Sequence, residues 1–200
     1  MTSSNLLTSA LLTSLLALAG CKDAAEKPGA AATAAAPTAA VSIPAIATEA
    51  KGFTVGSAMS VRTVYVFFDP QCPHCRVLWN EAKPLKSQAK FVWIPVALLN
   101  AASAPQGAAI LAAPDPSAAM DAHEASMLAQ KGGITAMGNV DAQKAMVEAN
   151  TKLMNRFQFQ GVPVVVAKHA VSGDLVVKEG SMQTAVLAAM LGLAPPAPGK

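Results

Sequence analysis

Two cysteines separated by two residues, Cys72 and Cys75, are the side chains of this sequence whose spacing indicates a definite chemistry. A pair at this spacing can close a reversible disulfide, hold half of a zinc site or form an inert structural bridge. Zinc requires four ligands, and the candidates outside the motif, His123 and His169, lie far away in sequence, where we expect surface residues. We therefore predict a redox-active disulfide with no metal and no other cofactor, because the electrons pass between sulfurs.

A strand followed by a helix is expected to position this pair. Residues 61–68 form an apolar run rich in β-branched and aromatic residues, which predicts a buried strand, and a turn at residues 69–71 leads into a helix over about residues 72–86. The first N–H groups of a helix have no intrahelical partner and its dipole is positive at that end. We predict that Cys72 is the nucleophile, with a lowered pKa, and that the more buried Cys75 resolves mixed disulfides by attacking Cys72.

Three neighbouring residues have predicted supporting roles. Pro73 fits the first helical position, where its missing N–H is no loss. His74 can place an imidazole close to the Cys72 sulfur and lower the pKa of that thiol further; the alternative is a solvated helix residue. A stabilised thiolate stabilises the reduced protein and makes the disulfide a stronger oxidant. Asp69 is expected to cap the turn before the pair.

The rest of the pattern predicts an α/β domain with an inserted helical block. The predicted elements after the first helix are a strand at 90–99, helices at 106–113, 116–130 and 141–157, a strand at 161–167, a hairpin turn at 172–174, a partner strand at 175–180, and a last helix capped by Ser181 and ending at Leu193.

This order resembles a thioredoxin fold, a central mixed sheet with a helical insertion at about residues 104–157. The most specific parts are DPQCPHC at residues 69–75, WNEAKP at residues 79–84 and GVP at residues 161–163. Together they resemble the catalytic domain of the DsbC/DsbG family of periplasmic thiol:disulfide interchange proteins, over roughly residues 60–193. The resemblance implies a protein thiol:disulfide oxidoreductase.

The same resemblance implies roles for a second loop. Pro163 would follow a cis peptide bond beside the dithiol, and Val162 would offer its backbone to the substrate chain as a short antiparallel strand; a trans proline opening an edge strand is the alternative. The dipeptide Pro73-His74 and Val162 resemble DsbA, a strong oxidant. Thioredoxin and DsbA keep a buried carboxylate six residues before the first cysteine, where this sequence has Val66.

An uncharged apolar stretch, residues 6–20, precedes the third cysteine, Cys21. It has the length of a signal-peptide core and is short for a membrane span. The tetrad LAGC at residues 18–21 resembles the lipobox of bacterial lipoproteins, which implies a lipoprotein signal peptide over residues 1–20 and lipidation of Cys21. An ordinary secretory peptide is the alternative. Lys22, rather than Asp, favours the outer membrane by enteric-type sorting.

Composition divides the rest of the chain. Residues 21–50 are rich in Ala and Pro without apolar periodicity, which predicts a flexible linker. The catalytic domain is expected at residues 51–194 and a disordered tail at residues 195–200. DsbC and DsbG proteins dimerise through an N-terminal domain, and a linker alone would leave a monomer.

The formal net charge of +3 is scattered, which argues against nucleic acid as a partner. We expect exported proteins with thiols or disulfides as substrates, a membrane redox partner that resets the dithiol, and the periplasm as the location. The predicted function is disulfide exchange with proteins, as oxidant or as reductant. The alternatives are a DsbG-like isomerase and chaperone, a sulfenic-acid reductase, and a tethered binding module with a secondary dithiol.

Overall fold

The computed structural model describes residues 40–195. The predicted signal peptide, the lipidation site Cys21, most of the predicted linker and residues 196–200 of the tail lie outside the described residues. Within the described range, no helix combines the length and the apolar character that crossing a membrane requires.

From residue 63 onward, helices and strands follow one another in the predicted order, and a helix and a strand that were not predicted precede them. The elements are α1 (Ile43–Glu49), β1 (Phe53–Gly56), β2 (Thr63–Phe68), α2 (Pro73–Ala82), a 3₁₀ turn (Lys83–Leu85), β3 (Lys90–Pro95), α3 (Ser103–Ala112), α4 (Pro116–Leu128), α5 (Asp141–Arg156), β4 (Val164–Lys168), β5 (Leu175–Glu179) and α6 (Thr184–Leu191).

The strands form a mixed sheet in the order β1-β3-β2-β4-β5. β2 lies in the middle, paired in parallel with β3 and antiparallel with β4, so that Val66 lies opposite both Trp93 and Val165. A strand with a partner on each edge and packing on each face is apolar at nearly every position. This explains the continuous apolar run of β2, and the mixed sheet with its helical insertion confirms the predicted α/β fold class.

Each face of the sheet is covered by a separate apolar core. On one face α2 and α6 pack against the sheet, and the rings of Trp79 and Trp93 meet edge to face with centroids 4.9 Å apart. On the other face Phe67 and Ile94 pack against residues of α1 and α5. The end of β2 and the start of α2 are thus packed between two apolar cores.

The linker prediction extended too far. Residues Ile43–Glu49 form a helix with Ser42 as its N-cap, and Ile46 is fully buried beneath the sheet. Arg156 on α5 binds Glu49 at 2.6 Å. A helix this short is not stable by itself, so packing against the sheet and α5 forms it. The folded domain therefore begins before the predicted residue 51.

The start of α6 also differs from the prediction. This helix begins at Thr184, and Ser181 does not cap it. The carboxylate of Glu81 on α2 accepts the Thr184 N–H at 2.7 Å instead. An anion from a neighbouring helix thus satisfies a free donor at the helix N-terminus, an arrangement that local sequence does not indicate.

Candidate active site

The start of α2 places Cys72 where the sequence predicted. Cys72 is the N-cap residue, with extended backbone angles, and Pro73 is the first helical residue. The Cys72 Sγ accepts the backbone N–H of Cys75 at 3.3 Å. In an N-cap with Ser, Asp or Asn, an oxygen accepts this bond; here the acceptor is sulfur. The nucleophilic atom is therefore held at the positive end of the helix.

Hydrogen bonds acidify this thiol. The pKa of Cys72 is lowered from 9.0 to about 6, chiefly because the side chain of Cys75 donates a hydrogen bond to it; burial opposes the shift. The backbone N–H groups of Cys75 and His74 and the charge of His74 act in the same direction with smaller effects. The Cys72 thiolate is thus the dominant form at neutral pH, as a nucleophilic cysteine requires.

Cys75 lies one turn further along the helix and has the opposite character. Its side chain is completely buried, and burial is the main cause that raises its pKa far above the ordinary value. Both cysteines are free thiols in this structure. The pair therefore contains one thiol of lowered pKa and one buried thiol of raised pKa. The roles of Cys72 as nucleophile and Cys75 as resolving cysteine stay predictions.

The second loop lies against the sulfur. The Val162–Pro163 peptide bond is cis, as predicted, and the carbonyl oxygen of Val162 is 3.5 Å from the Cys72 Sγ. Val162 itself is half-buried, while Pro163 is buried at the entry to β4. A partly exposed residue thus lies next to the sulfur. The role of Val162 in binding a substrate chain stays a prediction.

His74 lies on the solvent side of the helix start. Its side chain is exposed, and its Nδ1 is 3.4 Å from Ser181 Oγ in the segment before α6. The imidazole is close enough to lower the pKa of Cys72, but its contribution is smaller than that of the hydrogen bonds from Cys75. The sequence did not indicate the contact with Ser181.

Asp69 organises the loops behind the cysteine pair. It caps the turn as predicted, accepting the Gln71 N–H at 2.8 Å, but it is fully buried and also accepts the N–H groups of Leu98 and Leu99 at 2.7 and 3.0 Å. Its carboxylate therefore joins the turn before α2 to the loop after β3.

The prediction of a surface position was wrong for His123. This residue is completely buried on α4, and its Nε2 donates to the carbonyl oxygen of Pro70 at 2.7 Å, while its Nδ1 accepts the Ile134 N–H at 3.3 Å. Burial lowers its pKa, which fits the neutral ring that these two bonds need. The ring fits because Gly133 has no side chain: a Cβ there would lie 2.6 Å from it. His169, by contrast, is partly exposed.

Sequence reasoning missed Glu124. This residue is 7% exposed, and its Oε1 has no hydrogen-bond partner in the part of the chain that the structure describes. It lines a pocket of about 90 Å³ together with Cys72 and Arg76. Burial is the first cause that raises its pKa to about 7. Nothing in the pattern of α4 distinguishes it from a solvated glutamate, so only the fold could reveal it.

Metal-ligating side chains do not cluster in the part of the chain that the structure describes. No group of three His, Cys, Asp or Glu residues between positions 40 and 195 is placed to hold an ion.

Comparison with known proteins places this site in a family. The model of a thioredoxin-like domain matches residues 55–194. The chain belongs to this thioredoxin-like family.

Two curated relatives, both named thiol:disulfide interchange protein DsbG, confirm the predicted likeness to the DsbC/DsbG proteins. The relative from Pseudomonas aeruginosa is 32% identical over 143 residues, covering 68% of this chain and 54% of the relative. The relative from Escherichia coli K12 is 33% identical over 125 residues, covering 62% and 47%. The chain thus spans about half the length of these relatives.

Solved structures share the fold. The catalytic domain of ScsC from Proteus mirabilis superposes with a TM-score of 0.57 at 17% identity, covering 74% of this chain and 91% of that one. A periplasmic thioredoxin-like protein from Salmonella enterica serovar Typhimurium gives 0.56 at 16% identity, covering 70% and 88%. At these identities the similarity establishes the architecture alone.

Proposed function

We propose that this protein is an exported thiol:disulfide oxidoreductase that exchanges disulfides with protein substrates through Cys72 and Cys75. One observation carries the proposal: an acidified, N-capping Cys72 sulfur lies 3.5 Å from the carbonyl oxygen of the half-buried Val162 and has a buried thiol one turn behind it. The curated relatives' names describe the same chemistry.

The exchange proceeds in two steps. In the direction of reduction, the Cys72 thiolate attacks a substrate disulfide, so that a mixed disulfide forms and the other substrate sulfur departs with the electron pair of the broken S–S bond. The Cys75 sulfur then attacks Cys72 and its proton passes to the second substrate sulfur, which departs with the electron pair of the broken bond as the Cys72–Cys75 disulfide closes. Oxidation of a substrate runs through the same steps in reverse. Because Cys75 is buried and its pKa is raised, it does not compete with Cys72 for the substrate.

Trapping tests this assignment. The substitution Cys75→Ser should leave Cys72 reactive but remove the resolving thiol, so the reduced variant should accumulate a mixed disulfide with a test protein that carries scrambled disulfides, visible on a non-reducing gel. Cys72→Ser is the matched control and should trap nothing. A tethered binding module whose dithiol is secondary predicts that neither substitution changes capture of the test protein, and that outcome would reject the oxidoreductase.

The direction of exchange is the finer part of the proposal. We favour the oxidant, because a low pKa of Cys72 stabilises the reduced form and makes the disulfide more oxidising. A reduction potential near about −120 mV is expected for an oxidant, whereas a value near about −200 mV or below would favour a reductant of disulfides or sulfenic acids. Disulfide isomerase activity requires a different readout, the recovery of a scrambled protein without added oxidant.

The location follows from two sources. The LAGC tetrad ending at Cys21 supports export with a lipid anchor, and one protein of the same fold is described as periplasmic. We propose a periplasmic catalytic domain tethered to the membrane, with Lys22 favouring the outer membrane. Partition of the full chain into detergent, and its loss in Cys21→Ser, would test the anchor separately from the redox chemistry.

A further inference from the structure

A buried carboxyl group, that of Glu124, lies next to Cys72. The exchange between Cys72 and Cys75 described above does not use it. Glu124 is 7% exposed, and its Oε1 lacks a hydrogen-bond partner among residues 40–195. Burying a polar atom without a partner costs about 1–3 kcal/mol, and native proteins contain few such atoms. The unpartnered oxygen is therefore a group that a ligand could satisfy.

The same carboxyl group has access to whatever binds at Cys72. Glu124 and Cys72 line one pocket of about 90 Å³ with Pro73, Arg76 and Met127. Pro73 is exposed, and Arg76 and Met127 are half-buried, so the pocket is accessible from solvent. Its volume corresponds to about three water molecules. A sulfur atom with its neighbouring methylene group is of this size.

Charges of both signs surround Glu124. Arg76 on α2 and Lys83 after it are cations, whereas Cys72 at the start of α2 and Asp121 on α4 itself are anions. β1 and α3, which also pack against α4, contain no ionisable residue. Burial is the main cause that raises the pKa of Glu124 to about 7, which is the range in which an acid–base group works best at neutral pH.

We propose that Glu124 is the general acid–base residue for the substrate sulfur in exchange at Cys72. In the direction of reduction, the Cys72 thiolate bonds to one sulfur of a substrate disulfide, the S–S bond breaks, and its electron pair goes to the departing sulfur, which takes the proton of the Glu124 carboxylic acid. In the reverse direction, the Glu124 carboxylate takes the proton of a substrate thiol, whose thiolate attacks the mixed disulfide and releases Cys72. This inference rests on the proposed thiol:disulfide exchange.

The chemistry predicts which disulfides need Glu124. An alkyl thiol has a pKa of about 8.5 and leaves poorly as a thiolate, so a proton donor helps it. An aromatic thiol of low pKa leaves readily without a proton. A loss of Cys72 reactivity or of folding would slow both reactions equally, whereas loss of the proton donor slows the alkyl disulfide alone.

Stopped-flow measurement of the reduced full chain at pH 6 tests this difference. The alkyl test disulfide is 2-hydroxyethyl disulfide and the aromatic one is 5,5′-dithiobis(2-nitrobenzoate). Each rate constant is divided by the fraction of Cys72 present as thiolate, which the absorbance at 240 nm gives. We expect Glu124→Gln to slow the reaction with the alkyl disulfide at least about tenfold and to leave the rate with the aromatic disulfide unchanged. Glu148→Gln, the same substitution at an exposed position of α5, is the control and should change neither rate.

If Glu124→Gln slows the reactions with both disulfides equally, or slows neither reaction, the proposed role of Glu124 is wrong. Absence of any reaction at Cys72 in the unsubstituted protein would overturn the proposed function as well. Should Glu124→Gln not fold, the unsubstituted protein still decides the question: the ratio of the alkyl to the aromatic rate must fall at least about fivefold between pH 6 and pH 8 as Glu124 loses its proton. A constant ratio would refute the proposal.

Discussion

Removing the thiol of Cys75 should weaken the acid character of Cys72. The hydrogen bond from the Cys75 side chain is the largest cause that lowers the pKa of Cys72 from 9.0 to about 6. Cys75→Ala deletes this donor and keeps the backbone N–H, which is 3.3 Å from the Cys72 Sγ. Cys75→Ser keeps a hydroxyl donor in the same place. The two variants therefore separate the side-chain bond from the helix N-terminus.

The magnitude follows from the loss of the leading contribution. We expect the pKa of Cys72 to rise by at least about 1 in Cys75→Ala, which corresponds to about 1.4 kcal/mol less stabilisation of the thiolate relative to the thiol. At pH 6 the thiolate fraction would fall from about one half to about one tenth, so alkylation by iodoacetamide should slow about fivefold. In Cys75→Ser the pKa should stay closer to that of the unsubstituted protein.

Two measurements determine the result. Absorbance at 240 nm against pH gives the pKa of the thiol directly, and iodoacetamide alkylation followed by mass measurement gives its reactivity. Both variants are kept in a phosphine reductant so that Cys72 does not pair with a second molecule. An unchanged pKa in Cys75→Ala would show that the helix N-terminus alone acidifies Cys72. A pKa equally raised in both variants would show that the hydroxyl does not replace the thiol.

Three further predictions concern stability. Because the pKa of Cys72 is about 6 in the folded protein against an ordinary 9.0, the free energy of unfolding of the reduced protein, relative to Cys72→Ser, should rise by about 2–3 kcal/mol from pH 5 to pH 8 and be lost as the pH falls through 6; identical pH dependence of the two proteins in denaturant unfolding would contradict this. Asp69→Asn should lower the free energy of unfolding by about 1–3 kcal/mol, because one carboxylate serves three backbone N–H groups, and a loss below about 0.5 kcal/mol would contradict it. Glu81→Gln should lower the free energy of unfolding by about 1 kcal/mol, because it weakens the hydrogen bond from the Thr184 N–H. An unchanged denaturation midpoint would show that the carboxylate charge does not stabilise the start of α6.

The sequence predicted the site where the determinants are local. β2 is an apolar run, Cys72 is followed by a proline at the first helical position, and both features are contained in a few consecutive residues. The cis bond before Pro163 is a different case, because only the resemblance to a family indicated it. The acidic thiol and its buried partner thus follow from local sequence together with general properties of helix ends.

The parts that were missed depend on contacts between distant segments. His123 and Glu124 are adjacent on α4, and one faces the Pro70 carbonyl while the other faces the pocket beside Cys72. Their roles arise only because the inserted helix packs against the start of α2, more than 40 residues earlier in the chain. The helix Ile43–Glu49 was interpreted as linker for the same reason, since burial of Ile46 and the ion pair of Glu49 involve remote partners.

Redox titration of the purified protein tests the central claim most directly. The protein is equilibrated in glutathione buffers of graded potential, quenched with a thiol-alkylating reagent and analysed by mass. We predict that Cys72 and Cys75 change together, from two alkylated thiols to one unmodified disulfide, at a single potential. If both cysteines remain alkylated across the whole range, or if one changes without the other, the pair is not an exchanging dithiol and the proposed function is wrong.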